Sequence, residues 1–173
     1  AARWLERAAN GGQPVAQNYL GALYQTGTGV NADMAKAIHW YRAAAMAGNR
    51  KAMTDLGKAY AGGWADGTDF ALAAHWFAQA ANLGDADAQF DLAVLYERGD
   101  GVVADNVVAY KWYALAAAQG DRGAAQQSAI LADQLSPDDL RKAKLDLAGF
   151  KPAPLNPAAN VAPTRAAIRT ARN

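Results

Sequence analysis

The sequence predicts an all-α array of stacked helix pairs, about nine helices in 173 residues. Three observations predict it. Trp4, Trp40, Trp76 and Trp112 stand 36 residues apart without drift. Each is followed at fixed offsets by paired alanines (Ala8-Ala9, Ala44-Ala45, Ala80-Ala81, Ala116-Ala117), then by a glycine (Gly12, Gly48, Gly84, Gly120), then by a further alanine (Ala16, Ala52, Ala88, Ala124). Between these marks the apolar residues recur at helical spacing. A constant period of this length marks units that bury their apolar faces against their neighbours.

The elements follow in order. Residues 1–13 match only the second half of a unit and are read as a half repeat closed by Gly11-Gly12. Full repeats occupy 14–49, 50–85 and 86–121. In the first, Pro14 opens helix A, where a missing N–H costs nothing. Ala16, Leu20, Leu23 and Tyr24 form its apolar stripe. Gly21, like Gly57 one unit on, sits inside a helix at a cost of about 1 kcal/mol, which implies the close approach of a neighbouring helix. Gly27-Thr28-Gly29-Val30 makes the turn, and Asp33, echoed by Asp69 and Asp105, caps helix B. Tyr60 and Tyr96 repeat Tyr24. Unit two departs at Gly63-Trp64-Ala65-Asp66, where a valine is missing and Trp64 is extra; the expectation is that Trp64 is partly buried, with a loop contact to a partner as the alternative. Residues 122–150 read as a degenerate capping repeat, with Ser136-Pro137 starting its last helix. From Lys151 the prolines Pro152, Pro154, Pro157 and Pro163 argue for an extended linker without helix, poorly ordered beyond about residue 155, and the basic tail Thr164–Asn173 is read as either a short helix or nothing ordered.

Composition bounds the function. Net charge is +1 overall and +4 over residues 151–173, which leaves −3 on the body and no basic footprint for nucleic acid. With no cysteine, disulfide scaffolds and zinc–thiolate sites are excluded. No apolar run approaches the roughly 20 residues of a membrane-spanning helix. The chain opens inside a repeat, so it is read as part of something longer.

The frame Ala-x-x-Trp-Tyr-x-x-Ala-Ala, then Gly-Asn/Asp, Ala-Gln-x-x-Leu-Gly-x-Leu-Tyr and Gly-x-Gly-Val, is carried here by Ala109-Tyr110-Lys111-Trp112-Tyr113, Gly84-Asp85 and Ala16-Gln17-Asn18-Tyr19-Leu20-Gly21-Ala22-Leu23-Tyr24. It resembles the Sel1-like repeats, relatives of tetratricopeptide repeats, over about residues 2–122. The resemblance implies a right-handed α-solenoid of antiparallel helix pairs used as an adaptor. A narrower resemblance rests on Gly48-Asn49-Arg50-Lys51-Ala52-Met53, on Asp91 to Gly99, on the Leu135-Ser136-Pro137 helix start and on the proline-rich tail. These are similar to the periplasmic part of bacterial polar localisation factors of the PodJ kind. That resemblance implies a membrane-anchored, pole-marking scaffold in the periplasm. Its membrane span precedes the repeats, and a peptidoglycan-binding domain often follows them.

Chemistry is sparse. The tryptophans recur where packing demands them, so Trp4, Trp40, Trp76 and Trp112, with Tyr24, Tyr60 and Tyr96, are read as repeat core rather than as ligand stackers. His39 and His75 share an offset with Arg3 and Lys111, which makes a basic column rather than a metal pair. The Gly-x-Gly turns follow helices and lack the phosphate-loop signature. No catalytic constellation assembles, so the chain is read as non-enzymatic, without cofactor or metal. The candidate partner surface is the stripe of helix A beside the core: Asn18, Ala22 and Gln25, then Thr54 and Lys58, then Phe90, Val94 and Glu97. Phe90 and Val94 form an apolar pair suited to anchoring an extended or helical protein segment, with packing of Phe90 on a neighbouring helix as the equal alternative. The function expected is a protein–protein scaffold for a cell-envelope partner, with a free periplasmic regulatory adaptor as the alternative.

Overall fold

The computed structural model describes residues 2–64 and 67–162. The described residues form ten helices and no strand. They divide between two compact units, one of Ala1–Met53 with Leu155–Asn173, the other of Thr54–Pro154.

In the first unit α1 (Ala2–Asn10) and α3 (Met34–Met46) both pack against α2 (Pro14–Thr26). Leu20 and Tyr41 are fully buried between them. A Cβ on Gly21 would lie 2.7 Å from the Tyr41 ring, so only glycine lets that ring lie flat against the backbone of α2. The same device recurs in the second unit. There α4 (Arg50–Ala61) carries Gly57, whose Cβ would lie 2.6 Å from the Phe77 ring of α5 (Phe70–Asn82). Then follow α6 (Ala86–Arg98), α7 (Asn106–Ala118), α8 (Arg122–Gln134) and α9 (Pro137–Gly149). Successive helices from α5 to α8 pack pairwise, and α9 returns to α7.

Local sequence explains the breaks. Gly48, Gly84 and Gly120 take φ of 90°, 83° and 100°, which ends helix B and lets the next residue start helix A. That next residue is the cap: Asn49, Asp85 and Asp121 accept the N–H of Ala52, Ala88 and Ala124. Asp33, Asp69 and Asp105 cap helix B in the same way. Each turn after helix A closes identically: the N–H of Asp33, Asp69 and Asp105 donates to the carbonyl of Tyr24, Tyr60 and Tyr96 at 2.8, 3.0 and 2.9 Å. The altered turn of unit two therefore keeps its closure.

Two expectations need correction. The fully buried aromatic of each repeat is the residue after the tryptophan. Tyr41, Phe77 and Tyr113 are 1–2% exposed, whereas Trp40 and Trp76 are half-buried and Trp4 is 62% exposed. One residue turns a helix face by about 100°, so the tryptophan stands off the seam with helix A and depends on another neighbour for cover. Trp112 has that cover, because Phe150 meets it edge-on at 5.5 Å, and it is buried. Trp4 meets Arg7 across its face. Tyr24, Tyr60 and Tyr96 are half-buried.

The second correction concerns the proline-rich end. Lys151–Asn156 is extended and exposed, but Pro157–Asn160 forms a tenth helix, α10, against α2. Pro157 occupies the first helical position and Asn156 accepts the N–H of Ala158, so proline here starts a helix instead of preventing one. Order thus extends past residue 155, while the basic tail with Arg165, Arg169 and Arg172 lies outside the described residues, as do Ala65 and Asp66.

Candidate functional site: a groove along α6

In the second unit, Phe90, Val94 and Glu97 lie at helical spacing on α6, beside the stripe of Leu92 and Leu95 that enters the core. The structure brings all three to one pocket of about 440 Å³, closed by Arg98 of α6, Tyr113 of α7 and Gln127 of α8. Phe90 meets Tyr113 edge-to-face at 5.4 Å. The Tyr113 hydroxyl donates to Glu97 Oε2 at 2.7 Å. Burial first, and the Glu97 carboxylate second, push the Tyr113 phenol well above its ordinary value, so it stays a donor at neutral pH. The pocket therefore has an aromatic wall, an aliphatic edge and a fixed polar corner.

A second pocket of about 300 Å³ shares Val94 and Arg98 with the first. Its other walls include Lys58, Phe70, Asp91 and Asp100. Lys58 Nζ lies 3.5 Å from Asp87 and 3.7 Å from Asp91. Burial raises the Asp91 carboxyl above the usual range, and Lys58 opposes that rise without cancelling it. The two cavities share Val94 and Arg98 and carry charges of both signs.

The remaining predicted surface residues are distributed otherwise. Lys58 lines the second pocket. Thr54 is fully buried and gives its hydroxyl to Asp85 at 3.1 Å, so it is withdrawn from the partner surface: the hydroxyl is needed to satisfy a buried carboxylate. In the first unit Asn18, Ala22 and Gln25 are half-buried, and Gln25 accepts the Tyr41 hydroxyl at 2.6 Å. Trp64 is half-buried and folds back towards Gly62. His39 and His75 are exposed, each edge-on to its neighbouring tryptophan. Among the described residues no three metal-ligating side chains converge. Sequence reasoning missed Arg98, Tyr113 and Gln127 as pocket walls. A signal for Tyr113 was present: the spacing from Glu97 to Tyr113 repeats that from Gln25 to Tyr41.

The sequence profile of the Sel1 repeat matches residues 1–13, 14–49, 50–85 and 86–121. The chain belongs to the Sel1 repeat family. Among solved structures it is similar to a Sel1 repeat protein from Oxalobacter formigenes, at 38% identity and a TM-score of 0.66, over 72% of this chain and 93% of that one. It is also similar to c5321, a protective antigen of uropathogenic Escherichia coli strains with an SLR fold, at 26% identity and a TM-score of 0.61, over 86% of this chain. This chain spans only 40% of that antigen. No curated protein matches it. The fold class is thus the α-solenoid of helix-pair repeats. Sel1 repeats generally mediate protein–protein interaction and are typically non-enzymatic.

Proposed function

We propose that the groove along α6 docks a segment of a cell-envelope protein, and that this chain is the interaction region of a periplasmic, pole-localised scaffold. The observation that supports the docking reading is the convergence of Phe90, Val94, Glu97 and Tyr113 on one pocket that adjoins a second. Phe90 and Val94 supply apolar anchoring area, and the charged groups of both cavities orient the segment. The scaffold reading rests on the resemblance to polar localisation factors of the PodJ kind; membrane attachment and peptidoglycan contact then belong to segments outside this chain. Among the described residues no helix is long and apolar enough to cross a membrane.

The test is a displayed peptide library selected on the chain, followed by affinity measurement on a Phe90→Ala, Val94→Ala double variant. Selected peptides carry an apolar anchor and lose at least about tenfold in affinity on the variant, the scale expected for removing central anchors. Helical content and melting midpoint serve as controls. Unchanged affinity on a folded variant rejects the groove. A fluorescent fusion that stays diffuse through the cytoplasm rejects the periplasmic and polar part.

A further inference from the structure

The first unit holds a peptide on its own surface. Residues Asn156–Asn160, preceded by an exposed stretch without regular structure whose Ala153 N–H donates to the Asn82 carbonyl, sit on α2 and on the Gly48-Asn49-Arg50 turn. Two asparagine side chains make the contact. Asn49 Oδ1 accepts the N–H of Ala52 as a helix cap, and its Nδ2 donates to the carbonyl of Ala159. Asn160 reciprocates: its Oδ1 accepts the N–H of Arg50 at 2.8 Å, and its Nδ2 donates to the Gly48 carbonyl at 3.0 Å and to the Asn156 carbonyl at 2.8 Å. Each amide thus serves as donor and acceptor, and one of the free N–H groups at the start of α4 is satisfied from 110 residues away. Ala159 is 1% exposed and lies against Gly48, where a larger side chain has no room.

The neighbouring repeats show that this contact is not required by the fold. At the position of Asn49 the two later turns carry Asp85 and Asp121, which cap their helices equally well but have no hydrogen to donate, and the earlier turn carries Gln13, whose side chain does not cap its helix. Asp85 Oδ1 accepts the Thr54 hydroxyl as well as the Ala88 N–H. The donor that holds a peptide carbonyl is therefore a property of the Asn49 turn. What the turn reads is short and local: a small residue followed by asparagine, within a proline-started helical turn.

We propose that the Gly48-Asn49-Arg50 turn and the adjoining face of α2 form a peptide site for the Asn156–Asn160 motif, filled in cis in a single chain and open to the same segment of a second copy. That occupant follows from the motif seen seated on the turn. A proline-punctuated tether holds the cis segment at an effective concentration in the millimolar range, so exchange needs crowding or loss of the cis segment. The result is self-association by exchange of an identical element, without any new interface chemistry. The proposal does not depend on the α6 groove.

The experiment uses two full-length variants. Ala159→Arg cannot seat its own segment, so its site is open. Asn49→Asp cannot hold a segment, so its own is free, and it keeps the cap residue that the other two turns already carry. Mixed, they are expected to sediment as a one-to-one complex, while each alone remains half that mass. A labelled peptide spanning residues 154–162 is expected to bind Ala159→Arg at least about tenfold tighter than the parent chain, given the cis competition, and not to bind an Ala159→Arg, Asn49→Asp double variant. Peptide binding equal in all three chains overturns the site. Peptide binding as expected, but no complex between the two variants up to several hundred micromolar, overturns the second copy as occupant. If Ala159→Arg loses helical content, Asn160→Asp replaces it in both measurements with the same criteria.

Discussion

The turn that opens α4 and the turn that opens α6 differ by one functional group. Both follow a left-handed glycine, Gly48 at φ 90° and Gly84 at φ 83°. Both place an acceptor oxygen on the third N–H of the next helix, at 2.8 Å for Asn49 and 3.1 Å for Asp85. Where Asp85 has a second oxygen, Asn49 has an amide nitrogen, and that nitrogen holds the carbonyl of a segment 110 residues away. The frame shared by the repeats supplies packing and termination. A departure small enough to leave the frame intact supplies a binding function.

The largest effects test whether the two turns rest on the same frame. Phe77→Ala and Tyr41→Ala should each cost about 3–5 kcal/mol, since each removes a fully buried ring seated on a helix glycine. Trp76→Ala should cost less, because its ring is half in solvent. Urea denaturation midpoints decide the order. A Trp76→Ala loss as large as that of Phe77→Ala would break the assignment of the repeat core.

Smaller effects come from swapping the two caps. Asn49→Asp should release residues 156–160 and raise their cleavage by a nonspecific protease, with a stability loss of about 1–2 kcal/mol from the lost hydrogen bond. Asp85→Asn should stay within about 1 kcal/mol of the parent, since Oδ1, which accepts both the Ala88 N–H and the Thr54 hydroxyl, is retained. Equal protease sensitivity in the two variants would remove the distinction between the turns.

The smallest effect is a pH dependence in the second unit. The Asp91 carboxyl is raised above 3.8 by burial, so the native state holds its proton more tightly than the unfolded chain. Its stabilising contribution is then complete below pH 3.8 and is lost as pH rises through the folded value. Asp91→Asn abolishes that loss. At pH 7 it should equal or exceed the parent in stability by up to about 1 kcal/mol, and the gain should vanish below the unfolded value. A loss at pH 7 would show that the Lys58 pair outweighs burial.

The comparison also separates what could be read from the chain alone. The period of 36 residues, the helix pairs, the glycines that admit Tyr41 and Phe77, and the aspartates that cap helix B are local or periodic properties, and local hydrogen bonding and sterics suffice to determine them. So was the convergence of Phe90, Val94 and Glu97, because one helix face carries all three. Tertiary structure decided the rest. The burial of Trp112 and the exposure of Trp4 follow from which neighbour covers a helix face, and Thr54 is buried with its hydroxyl on Asp85. The helical turn at Pro157 docks because Asn49 holds the Ala159 carbonyl and Asn160 accepts the Arg50 N–H, each across 110 residues. Nothing in the local pattern distinguishes that pair from two surface asparagines, since its partners are backbone groups positioned by the folded chain.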